Sequence, residues 1–76
     1  IVNPDMVIYG GYGYICFGYS IFKLDLLTHR VIETYNLDSS TFLLGIAHNG
    51  TNFYALSISG FGSLAEIKPQ IHKIQF

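Results

Sequence analysis

The sequence predicts an all-β protein of antiparallel strands in two four-stranded repeats, residues 1–38 and 39–76. Three observations carry this expectation. Tyr, Phe, Ile, Val and Thr are abundant, in apolar runs of about four to eight residues broken by Gly, Asn, Asp and Ser. No window holds an apolar i, i+3, i+4, i+7 pattern at helix length. The charges also recur in two clusters: Lys23, Asp25, Arg30, Glu33 and Asp38, then Glu66, Lys68 and Lys73, with only Asp5 outside them. Met6–Phe22 and Ser39–Ala65 carry no formal charge. An uncharged half followed by a charged half, written twice, is the mark of a repeat whose unit cannot bury its apolar face alone.

Eight strands are expected. The first four are Met6–Tyr9, Tyr12–Phe17, Ile21–Leu26 and Arg30–Leu37. Gly10-Gly11 joins the first pair, because two glycines accept the positive φ of a tight hairpin. Gly18-Tyr19-Ser20 and Leu27–His29 supply the next turns. In the third strand Phe22, Leu24 and Leu26 alternate with Lys23 and Asp25, the mark of a half-buried strand. Asp38-Ser39-Ser40 is a loop by composition. The second four strands are Phe42–Ala47, Asn52–Ile58, Ser63–Lys68 and Ile71–Phe76. Asn49-Gly50 is the strongest hairpin signal. Ser59–Gly62 forms the next loop. Pro69-Gln70 is expected to turn the last pair, since proline spoils a central strand. Matching the halves pairs Tyr14 with Phe53, Phe22 with Leu64 and Val31 with Ile71.

Composition bounds the function. At 76 residues there is room for one small domain with a thin core. Half of the residues are hydrophobic and 12% are charged, against about a quarter in ordinary globular chains. Such a chain is expected to meet further polypeptide, copies of itself or another partner. A net charge of −1 with scattered Lys and Arg excludes a phosphate-neutralising stripe, so nucleic acid is not an expected partner. The single cysteine, Cys16, rules out an internal disulfide framework. The longest apolar stretch, Val7–Phe22, holds Gly10, Gly11, Gly13 and Gly18, and is too short and glycine-rich for a spanning helix. The chain opens on Ile1 rather than Met, as a processed product, a fragment or an ordered core would.

Four antiparallel strands per forty-odd residues resembles the blade of a β-propeller. Ser20–Tyr35 looks like the third-to-fourth-strand hairpin of such repeats: an aliphatic, Asp, a short turn with Thr, then a β-branched outer strand. Ile46–Ala55 resembles the first-to-second-strand hairpin, where Asn-Gly precedes an aromatic strand. The YVTN-type and olfactomedin propellers come nearest. The resemblance implies two blades of a larger ring, apolar inner strands packed by neighbours and charged outer hairpins in water. Several olfactomedin domains hold a central metal. The acidic residues of that site are absent around Ile46–His48, and Phe53-Tyr54 stands where Trp is usual. No metal or other cofactor is therefore expected.

Catalytic signatures are missing. His29, His48 and His72 are far apart and show no metal spacing with Cys16; His29 and His72 are expected at the surface and His48 beside a turn. Cys16, in the apolar run Tyr14–Phe17, is expected to be a buried, inert thiol. The glycines of Gly10–Gly13 and Gly60–Gly62 open no helix and read as hairpin or bulge positions. Asn49-Gly50-Thr51 matches the N-glycosylation acceptor, which would make the chain extracellular, and also forms a good turn without sugar. The dense aromatics Tyr9, Tyr12, Tyr14, Phe17, Tyr19 and Phe22 suit inter-blade packing, or a platform for a protein or carbohydrate ligand.

The leading expectation is a non-catalytic β-repeat module for interaction or assembly, belonging to a larger propeller or pairing with copies of itself. One alternative is a self-assembling cross-β filament core, for which the uncharged, proline-free run Thr41–Ala47 has the composition. The other is a non-catalytic part of a propeller enzyme.

Overall fold

In the computed structural model, which describes residues 4–59 and 68–76, seven strands form two antiparallel sheets. The first sheet has the order β1 (Asp5–Tyr9), β2 (Tyr12–Phe17), β3 (Ser20–Asp25), β4 (Arg30–Asn36). The second has the order β5 (Phe42–His48), β6 (Phe53–Ser59), β7 (Lys68–Ile74). The protein is all-β, and every pairing joins neighbours in sequence. The described residues form no barrel or propeller ring.

Local chemistry sets the turns. Gly10 (φ 62°) and Gly11 (φ 85°) both lie in the left-handed region, which a two-residue hairpin between Tyr9 and Tyr12 demands. At the β3–β4 turn the Asp25 carboxylate accepts from the Leu27 and Thr28 amides (2.8 and 3.3 Å), and the His29 amide donates to the Asp25 carbonyl (2.8 Å). The loop between the sheets is held by Asp38. Its carboxylate accepts from the Ser40 amide and hydroxyl (2.8 and 2.7 Å), which holds the exposed Asp38 carboxyl below its usual range.

The sheets meet through one face each. Tyr14, Cys16 and Ile21 from the first pack with Leu43, Ile46, Phe53 and Ala55 from the second. Hydrogen bonds also cross this seam. The Leu43 amide donates to the Gly18 carbonyl (2.8 Å), and the Ile46 amide donates to Asp5 Oδ2 (3.0 Å). Asp5 thus satisfies a backbone donor at the edge of β5. Gly45 leaves room for it: a Cβ at that position would lie 3.3 Å from Asp5 Oδ2.

Three expectations are corrected. Pro69-Gln70 is not a turn. Pro69 pairs with Ile58 and Gln70 with Ser57, so β7 runs straight through them. Among the described residues β7 is an edge strand with a partner on one side only, where a proline is tolerated. The expected strand Ser63–Lys68 lies, except for Lys68, outside the described residues.

Secondly, β7 stands beside β6 as β3 stands beside β2. Ile71 therefore corresponds to Ile21 rather than to Val31, since Leu56 pairs with Ile71 and Cys16 with Ile21. The match of Phe22 with Leu64 falls outside the described residues. Thirdly, Tyr14 does not correspond to Phe53. The Asn49 amide donates to the Asn52 carbonyl (3.1 Å), so Asn49 and Asn52 close their hairpin as Tyr9 and Tyr12 close theirs. Counted from those closing pairs, Phe53 corresponds to Gly13 and Tyr54 to Tyr14.

The faces of β3 also differ from the simplest reading of their alternation. Ile21, fully buried, points to the second sheet, and Lys23 shares its side. Lys23 lies along the aromatic surface with Nζ 4.3 Å from the centroid of the Tyr12 ring, keeping its stem packed and its head near water. Phe22 and Leu24 belong to the opposite, open face.

A candidate binding cleft between the sheets

At the hairpin end the sheets splay apart around a cleft of about 600 Å³. Its wall is aromatic. Tyr9, last in β1, stacks on His48, last in β5, with ring centroids 3.7 Å apart and planes 21° from parallel. Phe53 opens β6 and meets His48 edge-on at 4.4 Å. Tyr14 lies 4.3 Å from Phe53 and 4.9 Å from Phe76, and Tyr35 lies 4.5 Å from Phe76. The two contacts of Phe76 with Tyr14 and Tyr35 have the spacing of favourable aromatic pairs, and the other rings lie closer still.

The polar groups sit opposite. Lys23 Nζ is 3.8 Å from Glu33 Oε1, and the Tyr35 hydroxyl donates to Glu33 Oε2. The Glu33 hydrogen bond favours the neutral phenol, and with its negative charge pushes Tyr35 up to about 12. Strand register produces this group: Tyr14, Lys23 and Glu33 are consecutive cross-strand partners on one face of β2, β3 and β4.

His48 is fixed by the adjoining turn, as expected from its position. Its Nδ1 accepts from the Gly50 amide (2.9 Å), so the neutral ring carries its proton on Nε2. Asn49 is exposed. Its Oδ1 accepts from the amides of Thr51 and Asn52 (2.9 and 2.8 Å), leaving Nδ2, the atom a glycan would occupy, outside those bonds. His29 is exposed, with a positive φ of 60°.

His72 departs from its expected surface position. It is half-buried and lies 2.6 Å from the Ser57 hydroxyl through Nε2. Ser57 is 1% exposed, so the imidazole satisfies a sealed hydroxyl and leaves a substrate no approach to it. The pair arises because Ala55 is opposite His72 and Ser57 opposite Gln70 on the inward face of the second sheet. Only the β6–β7 register reveals it. Cys16 is buried, and loss of solvation pushes its thiol above the ordinary range.

Among the described residues no three His, Cys, Asp or Glu side chains gather as metal ligands, and no helix is long and apolar enough to cross a membrane. No family model, curated protein or solved structure matches the chain.

Proposed function

We propose that the chain is a non-catalytic β-repeat module, two units of a larger stacked assembly of the propeller kind, whose work is assembly and binding. One observation carries this reading. The first sheet buries one face against the second and leaves the other, built from Met6, Ile8, Ile15, Phe17, Phe22, Leu24 and Val31, with no cover among the described residues. A sheet needs a partner on each apolar face, and an open patch of this kind marks an interaction surface. Sedimentation equilibrium across a concentration series tests it. Association that strengthens with concentration is expected. A monomer of 8.5 kDa with a cooperative melt at every concentration overturns it.

A ligand-binding role is favoured by a separate observation, the aromatic cleft. Its size falls within the usual range of small-molecule sites, and it joins flat apolar rings to a polar rim. Pyranose rings, with one apolar face and hydroxyl edges, suit that lining. Titration with neutral oligosaccharides, read by tyrosine fluorescence, checks it. No saturable change in the chain, or an equal change in Tyr9→Ala, counts against the role.

A further inference from the structure

The two sheets do not pack like face to like face. With the hairpins aligned on their closing pairs, Met6 corresponds to Ile46, Ile8 to His48, Gly13 to Phe53 and Ile15 to Ala55, each 40 residues on (46 − 6, 48 − 8, 53 − 13, 55 − 15). The second member of each pair lies on the face that the second sheet turns inward; the first lies on the face that the first sheet leaves open. The buried face of the first sheet, Asp5, Val7, Tyr14 and Cys16, corresponds in the same way to Gly45, Ala47, Tyr54 and Leu56. Those four residues, with Ile71, line a mostly apolar groove of about 280 Å³ on the outside of the second sheet, and the Asp5 carboxylate of the first sheet lines its β5 edge. The seam already present therefore joins two different surfaces, and an unused copy of each remains, one at either end of the molecule.

A contact between unlike faces propagates, whereas a contact between like faces stops at two. We infer that the open face of the first sheet docks head-to-tail on the outer groove of the second sheet of another copy of this chain. This rests on the assembly reading above and names its surfaces and direction. In that contact Met6 of one copy sits where Ile46 sits in the existing seam, against Tyr54 of the next and beside the Asp5 carboxylate that covers Gly45. Ala47, in place of Val7, leaves the recess that receives the longer Ile8, while the space over Gly45 is taken by the chain's own Asp5 carboxylate. Such a contact closes into a ring or extends as a filament according to the rotation per step.

Two variants on opposite faces test this. Ile8→Lys and Ile71→Lys change side chains that are 59% and 68% exposed, so each variant is expected to fold. Each places an unpaired charge in one of the two surfaces and is expected to weaken self-association by about tenfold or more. The decisive sample is their equimolar mixture. Each variant keeps one intact surface, and the two are complementary, so the mixture is expected to form a one-to-one dimer while neither variant pairs alone. If either variant still dimerises as the parent does, or if the mixture stays monomeric, the head-to-tail contact is wrong while the assembly reading stands. A parent chain that never associates removes both. Met6→Lys and Leu56→Lys repeat the test on the same surfaces, with native amide dispersion as the check of folding.

Discussion

The carboxylate of Asp5 is the most informative place to perturb the seam between the sheets. Its bond to the Ile46 amide links residues 41 positions apart, and it lies over Gly45. A hydrogen bond to a charged group contributes about 1.5–3 kcal/mol. Asp5 is solvent-exposed, so the lower end applies, and Asp5→Ala is expected to cost about 1.5 kcal/mol. With a urea dependence of about 1 kcal/mol per molar for a chain of this size, the unfolding midpoint falls by roughly 1.5 M.

Gly45→Ala gives the complementary arm. Alanine in a strand is favoured over glycine by about 0.5–1 kcal/mol, but here its Cβ meets Asp5 Oδ2 at 3.3 Å, and the carboxylate must shift from its bond. The substitution is therefore expected to be close to neutral in the parent and stabilising by about 0.5–1 kcal/mol in the Asp5→Ala background. Tyrosine fluorescence follows unfolding at one fixed protein concentration, since association also shifts the midpoint. An Asp5→Ala midpoint equal to the parent's, or the same effect of Gly45→Ala in both backgrounds, refutes the placement of this carboxylate.

Three further outcomes are expected. Glu33→Gln should bring Tyr35 down from about 12 toward the ordinary phenol value, seen as loss of the late step in a 295 nm titration. Because the folded value is raised, the stabilisation is complete below about pH 10 and disappears as pH climbs toward 12, so alkaline unfolding should come earlier in Glu33→Gln. The Cys16 thiol should resist an aromatic disulfide reagent in the folded chain and react fully in urea; rapid labelling without denaturant contradicts its burial. At Ile21, fully buried, Ile21→Val should cost about 0.5–1.5 kcal/mol and Ile21→Ala about 2–5 kcal/mol by chemical denaturation, with equal costs showing that the site collapses around the smaller side chain.

Most of the strand map was legible because short apolar runs and turn residues act locally. Tyr12–Phe17 is found with the expected limits, and the other early strands shift by one residue at their ends. What escaped depends on register. Pro69 reads as a break because proline weakens central strands, yet among the described residues β7 lies at an edge. The match of Tyr14 with Phe53 is off by one: both hairpins close around two residues, which sets the offset between the sheets at 40 (49 − 9, 52 − 12), and one residue exchanges the faces of a strand. Lys23 and Asp25 suggested a solvent face, but Ile21 on the same side decided the direction. The cleft was less legible still. Tyr9, Tyr35, His48, Phe53 and Phe76 are brought together by the packing of two sheets, and nothing in their spacing announces it. Only the aromatic residue opening each second strand, Tyr12 and Phe53, hinted that rings gather at the hairpin ends.

The seam between the sheets has a kinetic consequence. Among the described residues every strand pairing joins neighbours along the chain, and the β1–β2, β2–β3, β3–β4 and β5–β6 hairpins close short loops at little entropic cost. The bonds from Ile46 to Asp5 and from Leu43 to Gly18 close much longer loops. They are therefore set to form after the hairpins and to open before them, which places the slow amide exchange of the molecule inside each sheet and its earliest opening along the line where the sheets touch.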